Sequence, residues 1–142
     1  MRSLMTFKKT FLLIIACPIS LISVVNTAHA QTITMEQCFQ EIGVANLMYP
    51  MQLDAYTEIT NSSCYLNASM EVSVAHIYNI LVDTSNLPEN VPEQLRVQTI
   101  ANNCSNPQLK AGLASVGEYT YFYNDKATGA LYTSFNITSK DC

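Results

Sequence analysis

The chain has 142 residues, 49% of them apolar and 13% charged, with a formal net charge of −4; that is enough for one domain of ordinary size and too little for two. Of its seven basic residues only four, well separated, follow residue 30. Nucleic acid and anionic membrane surfaces both need clustered Lys and Arg, so neither is expected as a partner.

Residues 1–30 read as a targeting segment. Arg2, Lys8 and Lys9 give a positive start, Phe11 to Val25 is an apolar stretch, and Ala28-His29-Ala30 is a small-residue cleavage site. Cleavage after Ala30 is expected, leaving 31–142 as a single domain in the periplasm or outside the cell. The apolar stretch is shorter than the ~20 residues a spanning helix needs, and Pro18 interrupts it, so no transmembrane helix is expected to remain. Ile14-Ile15-Ala16-Cys17 partly matches a lipidation box, but the apolar run continues past Cys17 where a lipoprotein turns polar, so soluble export is the better reading. The exported part holds four basic residues (Arg96, Lys110, Lys126, Lys140) against all eleven acidic ones, a net charge of −7.

Thr34-Met35-Glu36-Gln37 is a capping box that predicts a helix. Met35, Cys38, Phe39, Ile42 and Ala45 form its apolar stripe, and Tyr49-Pro50 ends it. From Met51 the period changes to two: Met51, Leu53, Ala55, Thr57 and Ile59 alternate with polar positions, which predicts a strand with one wet face. Cys64-Tyr65-Leu66 keeps strand character, so the turn is placed at Asn67-Ala68-Ser69. The partner strand runs from about Met70 to Val82, with Val72, Val74, His76, Tyr78 and Ile80 on one face.

A polar linker, 83–90, leads to Asn90-Val91-Pro92-Glu93, a helix start with asparagine as cap and proline in the first turn. Val97, Ile100, Ala101 and Cys104 give this helix its expected core stripe. Asn106-Pro107 opens a shorter helix that ends at Gly117. The last stretch is a hairpin: Tyr119, Tyr121 and Tyr123 alternate with Thr120, Phe122 and Asn124, and Leu131 to Thr138 alternates likewise. Gly129 supplies the positive φ of the turn. A strand running to a terminal Cys142 asks for a covalent anchor, since free termini fray.

These elements predict an α+β fold: a largely antiparallel four-stranded sheet of two hairpins, with the N-terminal helix and a central helix pair packed on one face. Cys38, Cys64, Cys104 and Cys142 are an even set in an exported chain and read as two disulfides. Four cysteines allow three pairings, and spacing alone does not choose. A zinc site would need ligand spacings the chain lacks, because there is no Cys-x-x-Cys and His76 is the sole histidine after residue 30. No metal or other cofactor is expected.

Asn102-Asn103-Cys104-Ser105-Asn106-Pro107, a short leucine-bearing helix ending in Gly117, Tyr119-Thr120-Tyr121-Phe122-Tyr123-Asn124-Asp125 and the closing Asp141-Cys142 resemble a loose group of small exported bacterial proteins of unassigned function. Leu53-Asp54-Ala55-Tyr56-Thr57 looks like that group's first strand. The resemblance implies a Cys104–Cys142 bond, leaving Cys38 for Cys64, and lends no enzyme activity.

No nucleophile elbow, phosphate loop or dinucleotide fingerprint occurs. His76, mid-strand on an apolar face, reads as a structural histidine bonded across the sheet; as a catalytic base it would need a carboxylate or hydroxyl brought to it. Glu71, Glu118, Asp54 and Asp125 read as solvated strand and turn positions rather than a carboxylate pair. Tyrosines suit interfaces, so Tyr119, Tyr121, Tyr123 and Tyr132 are the candidate binding face. Four N-x-S/T sequons, at Asn61, Asn67, Asn103 and Asn136, are incidental in a bacterial chain. The expected function is that of a small acidic, non-enzymatic binding or accessory module, acting on another protein of the cell envelope through its open sheet face. The alternatives are an inhibitor or immunity-type protein that plugs an enzyme, which an acidic loop such as 83–90 would suit, and, less favoured, a hydrolase using His76.

Overall fold

The computed structural model describes residues 32–142; the expected cleaved segment, with Cys17, lies outside the described residues. Thr34 caps α1 (Met35–Asn46) as a full capping box: its hydroxyl accepts the Gln37 N–H at 3.2 Å, and the Gln37 side chain accepts the Thr34 N–H at 2.8 Å. Among the described residues, no helix is long and apolar enough to cross a membrane.

The alternation from Met51 does not form one strand. Asp54 Oδ1 accepts the N–H groups of Tyr56 and Thr57 at 2.7 and 2.8 Å, and this side-chain turn breaks the run. A short β1 (Met51–Gln52) therefore folds back antiparallel on the start of β2 (Thr57–Leu66). Of Leu53-Asp54-Ala55-Tyr56-Thr57, which looks like the resembled group's first strand, 53–56 is a turn and Thr57 opens β2. β2 then pairs antiparallel with β3 (Val72–Ile80) through a tight turn at 67–71, where Asn67 Oδ1 accepts the N–H groups of Ser69 and Glu71.

β3 and β4 (Tyr119–Asp125) are neighbours and run parallel, in the order β1-β2-β3-β4-β5. The expected four-stranded, largely antiparallel sheet is thus a five-stranded mixed one. The cause lies between the hairpins. Two helices, α2 (Val91–Ser105) and α3 (Pro107–Ser115), carry the chain back to the end where β3 began, and a return of that kind makes a parallel pair. β5 (Leu131–Ile137) completes the sheet antiparallel to β4, with Gly129 at φ +70° in the turn.

Register assigns the faces. Ile59, Tyr78, Tyr123 and Thr133 lie in one row, and Ser62, His76, Tyr121 and Phe135 in the next. This face carries the core: Ile59, Tyr78, Ile80, Val91, Leu95, Leu113, Tyr121, Tyr123 and Ile137 are buried together. Burial of each large apolar side chain contributes about 1.5–3 kcal/mol. The buried positions of α2 are Val91, Leu95, Thr99 and Asn103, while Val97 of the expected stripe is half exposed. The polar half of that buried face is satisfied: Thr99 Oγ1 donates to the Leu95 carbonyl, and Asn103 Nδ2 donates to the Thr99 carbonyl and to the Tyr121 hydroxyl. Asn90 precedes α2 without a side-chain cap bond.

Two disulfides close the structure, Cys38–Cys64 and Cys104–Cys142, with Cα separations of 6.2 and 5.2 Å. The first ties α1 to β2. The second ties the end of α2 to the final residue, just after a 3-10 turn at Ser139–Asp141.

Candidate functional site

α1 lies over β2 and β3 and is fixed to β2 at both ends. Near its start Cys38, the single fully buried residue of the helix, bonds to Cys64. At its end the Asn46 amide works as a strand would. Its Nδ2 donates to the Ser62 carbonyl and its Oδ1 accepts the Ser62 N–H, both at 2.9 Å. α3 approaches from the other side, where Gly112 permits the contact: a Cβ there would stand 2.7 Å from the Tyr119 hydroxyl. The N–H of Ile33, ahead of α1, donates to the Ser115 carbonyl of α3 at 3.1 Å, so the two helices flank one cleft.

The cleft holds a cavity of about 40 Å³ walled by Ile33, Ile42, Ala45, Val74 and Val116, with Ser62 and His76 in its floor and Glu41 and Ser115 on its walls. That is room for about three waters or the tip of one side chain. His76 Nδ1 meets Ser62 Oγ at 2.9 Å across the β2–β3 pair, and the imidazole stands edge-on to Tyr119, with ring centroids 5.3 Å apart. Burial pushes the His76 pKa down to about 4, so the ring is neutral at ordinary pH. Burial also pushes the Glu41 carboxyl up, and it has no hydrogen-bond partner among the described residues.

A histidine meeting a hydroxyl is the condition a hydrolase reading requires. Here both groups are buried at the cavity floor, Ser62 and His76 only 2% and 5% exposed. A general base works best with a pKa near the operating pH, far above 4. The contact satisfies two buried polar groups.

The tyrosines lie elsewhere than the sequence placed them in function. Tyr121 and Tyr123 are 5% and 1% exposed, stacked with Tyr78 and Phe135 beneath the helices. Tyr119 is half buried beside the cavity, and Tyr132 packs partly buried against the core at a bulge in β5. Of the candidate binding face, Tyr121 and Tyr123 are therefore core, because the helices cover the face those rings occupy, whereas Tyr119 and Tyr132 are partly buried and Tyr119 lines the cleft. The open face carries a polar network instead. Asn79 donates to Glu58 at 2.9 Å and Lys126 pairs with Glu58 at 3.0 Å. The Tyr65 hydroxyl donates to Glu118 at 2.7 Å and contacts Thr120, and Asn136 donates to the same carboxylate at 3.2 Å. These polar groups are bonded to one another, and the apolar centre of the face, Ile77 and Phe122, is half buried.

Exposed large apolar side chains gather on α1 and the turn after it, while Leu66, Met70, Val97 and Leu131 are exposed singly or at turns elsewhere. Leu47 is 86% exposed, and Phe39, Val44 and Met48 are each more than half exposed. Sequence reasoning passed over Val44, Leu47 and Met48, although a signal was present: no charged residue occurs from Ile42 to Leu53.

The sequence matches no protein-family model and no curated protein sequence. Three solved structures share the architecture. A protein of Pseudomonas aeruginosa described as secreted is 13% identical, with 76% of this chain and 91% of that one covered and a TM-score of 0.64. A type 2 secretion system pilotin from Vibrio vulnificus is 16% identical over 76% and 90% of the two chains, with a TM-score of 0.56. A type II secretion system pilotin from Vibrio cholerae is 15% identical over 76% and 91%, with a TM-score of 0.55. At these identities the likeness is one of fold alone.

Proposed function

We propose that this protein is a non-catalytic accessory module of the bacterial cell envelope that binds another envelope protein along α1 and the α1–α3 cleft. The observation that carries the reading is the exposed apolar end of α1, Val44, Leu47 and Met48, beside a cleft whose walls are apolar. Interfaces concentrate their energy in a few apolar anchors seated in pockets, and the cleft offers one such seat. The fold shared with two secretion-system pilotins supports an accessory role. Two disulfides fit an oxidising compartment. The inhibitor alternative gains less from the structure, because the 83–90 loop spends its first carboxylate internally: Asp83 accepts from Ser85 and Asn86.

A photo-crosslinking residue at Leu47, in the oxidised protein inside its own cell, tests this. A discrete adduct from Leu47 and none from Asn61, on the open face, is expected. Equal labelling from both positions, or adducts from Asn61 alone, would overturn it.

A further inference from the structure

The two edges of the sheet are finished differently. At the β2 edge, β1 pairs with Glu58 and Ile59, Asn46 occupies the outward backbone groups of Ser62, and the Cys38–Cys64 bond holds α1 alongside. Edges are ordinarily guarded by such means, or by charge, proline or a bulge, since a bare edge is a template for another strand. At the β5 edge, among the described residues, the guards are the bulge at Tyr132, opposite the step from Tyr123 to Asn124, and at the far end the segment 138–142 tied back to α2, beside which Ile137 is fully buried. Between them Thr133–Ile137 is regular, no strand among the described residues pairs on its outer side, and no charge or proline occurs from Thr128 to Ser139. Ser134 and Asn136 are exposed, and Phe135 is half buried.

We propose that β5 is a self-association edge, along which a second copy of this chain adds its own β5 antiparallel about a two-fold axis at Phe135. The occupant follows from charge and from pattern. The part of the chain after residue 30 carries a net charge of −7, so copies repel. The uncharged strip lets two of them meet without like charges opposed. In the proposed register Phe135 faces Phe135 on the helix-covered side, and the exposed Ser134 faces the exposed Asn136 on the other.

One strand pair buries less than the roughly 1,200 Å² of stable complexes, so the dimer is weak and depends on concentration. Because α1 sits at the opposite edge of the sheet, the dimer displays two α1 surfaces, and a partner arrayed in copies is held by both at once.

Sedimentation equilibrium of the oxidised protein purified from exporting cells tests this together with amide exchange. The weight-average mass is expected to rise toward two chains with concentration, while exchange within Thr133–Ile137 slows in step. Ser134→Lys, at an exposed site, is expected to keep the melting temperature and weaken association at least tenfold. A monomer at every concentration overturns the proposal. So does a dimer that survives Ser134→Lys and is lost in Leu47→Glu, which places the interface on α1.

Discussion

His76 makes the fold sensitive to mild acid, and the size of the effect follows from its burial. In the unfolded chain the imidazole titrates near its ordinary 6.5, and in the fold near 4. Between those values the unfolded state holds one more proton, so stability falls as pH falls across that window and is fully present above it. At about 1.4 kcal/mol per pH unit for one proton, the whole window is worth about 3 kcal/mol, of which about 1.5 is lost between pH 6.5 and 5. No other histidine follows residue 30, and the upper part of the window lies above the ordinary carboxylate range, so His76 dominates there. Glu41, which faces the same cavity and is pushed up by burial, gains a proton on folding and slopes the other way. Urea unfolding followed by circular dichroism at pH 7, 6, 5.5 and 5 is the assay. His76→Phe keeps a ring beside Tyr119 and Tyr121 but strands the Ser62 hydroxyl, which costs about 1–3 kcal/mol at every pH. Its stability is expected to be lower and flat across this range. A flat wild-type profile, or an equal slope in both proteins, refutes the reasoning.

Replacing Cys104 and Cys142 by alanine frees a 38-residue loop, and the chain-entropy argument puts the loss at roughly 4 kcal/mol. The urea midpoint measures it, and a loss under about 1 kcal/mol would mean that packing alone anchors the final strand. Asp125 is pulled down to about 2 by the Thr84 hydroxyl, which donates at 2.6 Å, and next by the Thr128 N–H. A depressed carboxylate stabilises the fold above about pH 4 and loses that contribution as pH falls toward 2. Thr84→Val should return the Asp125 titration, read by carbon NMR of the carboxyl, toward the ordinary range; an unmoved titration would remove Thr84 as the cause.

Local chemistry was legible where it stood alone. The Thr34 capping box, the turn at 67–69, the α3 start at Pro107 and Gly129 are each decided by a few neighbouring residues, and each stands where the sequence put it. Period two was legible in the tyrosine arm, but the side on which the helices would land was not. Alternation defines two faces without saying which is covered, and tyrosine suits both. The α2 stripe was misread for a related reason. An apolar count picks Val97 and Ala101, whereas the buried tyrosine hydroxyls call for polar partners, and Asn103 meets Tyr121. The parallel seam between β3 and β4 was hidden because nothing local to either strand reports the direction from which a helical crossover returns.

The two cross-links do not overlap along the chain. One spans Cys38 to Cys64, the other Cys104 to Cys142, and the seam between β3 and β4 falls between them with no sulfur across it. Each half can therefore complete its oxidation without waiting for the other, in either order, with no scrambled intermediate needed. The same layout makes the 83–90 linker the molecule's weak point: one proteolytic cut there would leave two oxidised fragments joined by strand pairing and packing alone, which denaturant would part without any reductant.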